Sequence, residues 1–213
     1  IFLSKLRCFD KSNITEEDSV RTNLYRSESK RTQLKQKLKS LSDWIKTLNL
    51  TIMIENIKNE NTPRAVQLLN KTNQMNLSTR RLSEQEFNNW VKIHSNNLWT
   101  IRATDKFGDY GIIGILSISI KDKVATIVDF ILSCRVVGRY IEETMIEFLK
   151  EFCQKNNINK IRGEYKKTEK NSLCYHFFNK LKLIDNNKHF FELSSSMKKF
   201  NLLNIIVEKS NYN

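Results

Sequence analysis

Proline and glycine are scarce, at one and five in 213 residues, which predicts short loops and makes the place of each glycine informative. The four cysteines, Cys8, Cys134, Cys153 and Cys174, stand alone, with no C-x-x-C pair and no metal-ligand spacing. That pattern excludes a zinc module or a disulfide framework and fits a reduced, cytoplasmic compartment, with no metal expected. No run approaches the ~18 apolar residues of a membrane span, and the start carries no signal-peptide pattern. No block of five or six like charges marks a nucleic-acid tail.

What is present describes a folded, basic chain. Hydrophobic residues make up 39% and aromatics 10%, enough to exclude wholesale disorder and to bury one good core. A formal net charge of +13 calls for an acidic partner, such as a carrier protein or a phosphorylated small molecule, or else reflects a surface dominated by lysine and asparagine. Neither nucleic acid nor a membrane is expected as a partner. The chain opens on Ile1 rather than Met, as expected of a piece of a longer protein.

Hydrophobic periodicity gives the element order. Residues 1–10 are short and apolar, readable as the last strand of a preceding domain. A polar helix starts at Thr15 and runs towards Lys39, and Ser40 with Asp43 caps a second, with Leu41, Trp44, Ile45 and Leu48 on one face. Residues 1–49 thus read as a helical connecting segment lacking its packing partner, and residues 50–213 as the main domain. There, strands are expected at 50–57, 98–104, 110–120, 124–132, 158–165 and 189–193. Helices open at Thr62-Pro63 and at the Ser83–Glu86 capping box, and two more span 140–154 and 171–181. The polar stretch at residues 70–81 is a pocket wall or a solvated loop, too polar for a core element. Residues 202–207 form an edge strand or pack elsewhere. The fold class is α/β (α+β): a mixed sheet with helices on both faces.

The stretch richest in chemistry is Ile127 to Glu143, IVDFILSCRVVGRYIEE. A buried strand ends at Ser133-Cys134-Arg135, and a helix follows one short glycine-containing turn later. The unpaired N–H groups and positive dipole end of that helix favour an anion. The R-x-x-G turn resembles the acyl-CoA pyrophosphate loop of the GNAT acyltransferase superfamily. Five blocks, FDKSNITEED (9–18), QLLNKTNQMNLSTRR (67–81), DKFGDYGIIG (105–114), VDFILSCRVVG (128–138) and GEYKKTEKN (163–171), occur in the order and spacing of FkbH-like proteins. In that family a haloacid-dehalogenase-type (HAD-superfamily) phosphatase domain precedes a GNAT-like domain, and the pair loads a glyceryl unit onto an acyl carrier protein. The resemblance implies the GNAT-like half, moving a small acyl unit onto a carrier's phosphopantetheine thiol, as in polyketide biosynthesis. The phosphatase half, an implied partner, is not this piece, which has no D-x-D-x-T motif.

Candidate roles follow. Cys134 is a relay nucleophile, its thiolate favoured by Arg135 and the helix dipole, or a small residue filling a strand end. Arg135, Val136, Val137, Gly138, Arg139 and Tyr140 form the loop for the phosphates of coenzyme A or of a carrier's phosphopantetheine. Asn73, Asn76, Arg80 and Arg81 are candidates for reading substrate hydroxyls and anions. Asp105, Phe107, Gly108 and Asp109 surround a glycine turn, as turn formers or substrate contacts. Asn171 is placed to orient a thioester or to cap a helix. His94, His176 and His189 read as packing or surface residues. Many GNAT enzymes carry a tyrosine acid where this chain has Phe178, which cannot donate a proton; thiol-to-thiol transfer needs none. A CoA-dependent N-acetyltransferase and a non-catalytic carrier-docking module are the competing readings.

Overall fold

A computed structural model describes residues 16–38, 40–181, 190–195, 200 and 205–209. The strand expected at 1–10 lies outside them. Two helices come first, α1 (Glu16–Lys37) and α2 (Leu41–Leu48). The main domain then runs β1 (Thr51–Asn56), α3 (Thr62–Lys71), β2 (Met75–Asn76), α4 (Glu84–Val91), β3 (Asn96–Asp105), β4 (Gly108–Lys121), β5 (Val124–Leu132), α5 (Ile141–Lys155), β6 (Lys160–Glu164), α6 (Ser172–Lys180), β7 (Phe190–Ser194) and β8 (Ile206–Lys209). The sheet order is β7-β6-β5-β4-β3-β1-β8, with β2 joined to β5. β5 with β6, and β1 with β8, are parallel pairs, and the others are antiparallel. The edge strand left open by the sequence is therefore β8, alongside β1.

Alternation along the central strands sends side chains to two cores. On one face Trp99, Phe130 and Leu132 pack with Met145, Phe148 and Leu149 of α5 and Phe178 of α6. Trp99 meets Phe148 and Phe152 edge-on at 5.1 and 4.8 Å, and Phe178 stacks on Phe191 at 4.4 Å. On the other face Ile115 and Ile131 meet Ala65, Leu68 and Leu69 of α3 and Phe87 of α4. Local signals set the helix starts: Ser40 accepts the Asp43 N–H, and Ser83 and Glu86 close a reciprocal capping box.

Two expectations are corrected. The α1–α2 segment packs on its own chain: Arg31 of α1 is 1% exposed and grips Asp105 with bonds of 2.7 and 2.8 Å, and Trp44, Ile45 and Leu48 form a cluster with Phe107 and Tyr140. A mostly polar helix docks here through two ion pairs, Arg31 to Asp105 and Glu28 to Arg139, with Leu34 packed against the α2 cluster. The polar stretch at 70–81 contributes a core element, since Met75, Asn76 and Leu77 are fully buried. Their backbone joins the sheet, so pairing rather than side-chain polarity decides their place.

Candidate functional site

The site is built where β5 outruns β6. β6 pairs only with residues 124–127 of β5. A bulge at Val128 bends β5 just beyond, Asp129 facing Ser117 and Ile127 facing Ile118. The chain's own β2 fills the widening gap: Met75 and Asn76 pair with Leu132 and Ile131, the Leu77 N–H donates to Phe130 O at 3.2 Å, and the Lys166 N–H donates to Leu77 O at 3.1 Å.

Asn171 locks this arrangement. Its Nδ2 donates to Asn76 O at 3.1 Å and Lys166 O at 2.8 Å, while Oδ1 accepts from the Tyr165 hydroxyl and the Thr168 N–H, both at 2.8 Å. Fully buried, with its amide's bonding capacity in use, Asn171 holds the backbone and is not free to orient a thioester. Asn76 is similarly engaged, donating to Thr72 O at 2.9 Å and accepting from the Thr79 N–H at 2.8 Å. Asn171 also stands at the N-cap position of α6, the second of its two sequence readings, though its side chain bonds elsewhere.

On the α3 side lies an open cleft of about 690 Å³, walled by Arg64, Lys71, Asn73, Ser133, Cys134 and Lys170, with Glu169 the acid among its lining residues. Cys134 is exposed, at the start of a 3-10 turn (Cys134–Val136). Burial and the neighbouring Arg135 both lower the affinity of the Arg64 guanidinium for its proton, so two like charges lie close together beside the thiol. Arg135 donates to Ser133 Oγ at 3.3 Å. Arg81 caps the carbonyls of Leu69 and Thr72 and holds Asn73 Oδ1 at 2.6 Å, which shapes the wall. Arg80 turns inward to Asp129, with Nε at 2.8 Å and Nη2 on the second oxygen, and lies over the Trp90 ring at 4.5 Å. Ser117 and Ser78 also bond Asp129. Arg64 and Asp129 were not among the expected residues. A lone acid inside an apolar strand is the sequence signal for Asp129; Arg64, on a helix face, offers none.

The hairpin residues Asp105, Phe107, Gly108 and Asp109 do not line that cleft. Burial alone would raise the Asp105 carboxyl, but bonds from Arg31, the Tyr110 hydroxyl and the Phe107 N–H outweigh it and hold it below the ordinary carboxylate range. Gly108 takes a φ of +130°, and Asp109 accepts the Gly111 N–H at 2.7 Å, so both serve the turn. Asp105 thus anchors α1, while Gly108 and Asp109 shape the turn.

The R-x-x-G turn is also engaged. Arg139 is buried, paired with Glu28 at 2.7 Å and bonded to the Tyr110 hydroxyl, with Trp44 5.2 Å from its guanidinium. The Gly138 N–H, at a φ of +77°, donates to Glu142 Oε1 at 2.7 Å. Val136 is buried, Tyr140 caps α5 at a φ of +60°, and its carbonyl accepts the Thr144 N–H at 3.0 Å. A diphosphate needs free amides and a free cation, and this loop presents its glycine amide to a carboxylate and its second arginine to Glu28.

Behind the turn, on the α5–α6 side, lies a cavity of about 250 Å³ whose wall includes Met75, Val137, Phe177, Glu142, Glu143 and Lys180. Burial pushes the Glu142 carboxyl up to about 7 and raises Glu143. Phe178 belongs to the core, stacked as described. Cys153 and Cys174 are buried, the first pushed up to about 12 by desolvation. Among the described residues no cluster of three or more His, Cys, Asp or Glu is placed to hold a metal, and no helix is long and apolar enough to cross a membrane.

No protein-family profile matches the chain, and no curated protein does. Solved structures do resemble it. A spermidine N-acetyltransferase from Vibrio cholerae, in complex with CoA and spermine, superposes with a TM-score of 0.52 at 13% identity, over 68% of this chain and 96% of that one. The ribosomal-protein-S18-alanine N-acetyltransferase of Escherichia coli gives 0.51 at 12%, over 71% and 98%. A GNAT-family acetyltransferase from Staphylococcus aureus Mu50 gives 0.50 at 10%, over 68% and 99%. With the mixed sheet, the bulged central strand and the strand-turn-helix at its end, these likenesses establish that the chain folds as a GNAT-like domain.

Proposed function

We propose that this domain is an acyltransferase that carries a small acyl unit on Cys134 and passes it to the phosphopantetheine thiol of a carrier protein. The observation that supports it is an exposed thiol in a large cleft flanked by Arg64, Lys71 and Lys170, with Arg135 adjacent. These cations draw an anionic activated donor. The thiolate attacks the acyl carbon of an acyl phosphate or thioester; a C–S bond forms and the bond to phosphate or to the donor sulfur breaks, releasing that group. The carrier thiol then attacks the new thioester, loses its proton to water, and expels the Cys134 thiolate. No step needs a proton donor at Phe178. The glyceryl unit, the acyl carrier protein and an upstream HAD-like domain come from the resemblance to FkbH-like proteins.

A second reading, a CoA-dependent N-acetyltransferase, is favoured by the likeness to the spermidine enzyme crystallised with CoA and spermine. Intact-mass spectrometry with peptide mapping, on the chain and its Cys134→Ala variant after incubation with a glyceryl phosphate anhydride, separates the two. A glyceryl adduct mapped to Cys134 and absent from the variant is expected. Acetyl-CoA turnover on an amine, with no adduct, would establish the second reading. Salt-sensitive carrier binding without either chemistry would mark a docking module.

A further inference from the structure

The cleft that holds Cys134 adjoins a second, open hollow of about 430 Å³, and the two share Asn73, Glu169 and Lys170. Their lip is basic. Lys71 ends α3, Arg81 stands between β2 and α4, and Lys166, Lys167 and Lys170 stand on the loop between β6 and α6, all of them exposed. Glu169 is the one acid among the residues that line either hollow.

A cation at the end of a helix is ordinary, because the dipole favours it, and that accounts for Lys71. Arg81 is engaged with the carbonyls of Leu69 and Thr72. The loop lysines have no such reason. Exposed lysines elsewhere sit beside acids, Lys58 with Glu55 at 2.7 Å and Lys160 with Glu192 at 3.1 Å. Lys71, Lys166, Lys167 and Lys170 form no ion pair among the described residues. Like charges gathered without a counter-charge repel one another, and an acidic surface laid over them relieves that repulsion.

The backbone that carries them is held in place. Asn171 accepts the Thr168 N–H and donates to Lys166 O, each at 2.8 Å, and the Lys166 N–H reaches Leu77 O at 3.1 Å. The lysines therefore project from an ordered loop, which leaves little ordering for a partner to impose. A single-stranded nucleic acid is held in such a basic groove by stacking aromatics, and neither hollow is lined by one.

We propose that this lip is the docking surface for an acidic face of the carrier protein, seated so that its thiol-bearing arm enters the groove that leads to Cys134. The partner rests on the acyl-relay reading, but the test reads binding alone, so either can fail while the other stands.

The test is titration calorimetry of the whole chain with a purified acidic acyl carrier protein bearing phosphopantetheine. Saturable binding is expected, weakening at least tenfold as salt rises from about 0.01 to 0.1 M and the screening length falls from about 30 to 10 Å. Lys167→Glu/Lys170→Glu should weaken it at least tenfold at the lower salt, and Lys71→Glu, on a separate element, severalfold. Lys121→Glu/Lys123→Glu makes the same change of charge in the turn between β4 and β5, at the other end of β5 from Cys134, and should change the affinity less than threefold. Carrier binding that survives the loop variant, or falls equally in the turn variant, would overturn the proposal, since net charge rather than this lip would then govern it. A poly-dT oligonucleotide bound as tightly as the carrier, with the same loss in the loop variant, would overturn it in favour of a nucleic-acid site. A glyceryl adduct on Cys134 without carrier binding would sink the docking surface and leave the relay, and carrier binding of the expected pattern without the adduct would do the reverse.

Discussion

Replacing Glu142 by glutamine should stabilise this protein at alkaline pH and leave it nearly unchanged at about pH 4. The folded carboxyl holds its proton up to about pH 7, first because of burial, with Glu143 adding to it. An unfolded glutamate releases its proton near pH ~4.3. Because the folded affinity is the higher one, the unfolded chain loses the proton first. The full contribution is present below the unfolded value and drains away as pH rises through about 7. At 1.36 kcal/mol per tenfold change in proton affinity, the cost of the glutamate well above pH 7 reaches about 3.7 kcal/mol. The favourable dipole term at a helix N-terminus is ~0.3–1 kcal/mol, so desolvation wins. Glutamine keeps the shape and the acceptor for the Gly138 N–H without the charge. With a urea slope of roughly 2 kcal/mol/M, the midpoint should rise by about 1.8 M at pH 8, by about 0.5 M at pH 5 and by almost nothing at pH 4. Tryptophan fluorescence, with Trp44 and Trp99 buried, reports the transition. A variant weaker than the parent by the same amount at every pH would show that the bond to Gly138 outweighs the buried charge.

The cleft around Cys134 should favour anionic reagents. Relative to iodoacetamide, iodoacetate should lose about threefold to tenfold in rate at Cys134 in Arg64→Gln, followed by mapped mass spectrometry, as removing one nearby charge implies; an unchanged ratio would remove Arg64 from the site. Asp105→Asn should cost about 3–5 kcal/mol in urea unfolding, because it strands Arg31 inside a pair whose side chains are 2% and 0% exposed. Limited proteolysis should then release α1 first, and an intact α1 would contradict the anchoring role. Gly163→Ala puts a methyl 2.4 Å from Phe191 Cζ, and the stacked ring on Phe178 cannot swing away freely. It should cost about 1–3 kcal/mol, and Phe191→Leu in the same chain should recover part of that, an interaction visible only as non-additivity.

Local codes were legible in the sequence. The Ser40 and Ser83 caps, the hairpin glycine, the strand-turn-helix at Cys134 and the sheet with helices on both faces all rest on neighbours within a few residues, and they stand where the spacing put them. Partners distant in the chain were not. Arg139 looked free for phosphate, yet Glu28 reaches it from 111 residues away. Asp129 finds Arg80 at a separation of 49. Asn76 read as a substrate contact because amide side chains suit hydroxyl recognition, and Asn171 as a residue that orients a thioester or caps a helix, but the same bonding capacity suits unpaired backbone groups, and only the fold decides between them. Glu142 is subtler: its reach back to Gly138 is local, but the residues that share its cavity, Met75, Phe177 and Lys180, come from β2 and α6.

The strand β2 bears on how such a domain tolerates change. Its hold on β5 runs through main-chain amides and carbonyls, which every residue except proline carries, so an apolar exchange of similar volume at the buried Met75 leaves that closure in place. Chain length is the sensitive variable. Removing two residues between α3 and α4 would draw this segment out of the sheet and join the spaces on its two faces, a conversion that point mutation alone reaches poorly.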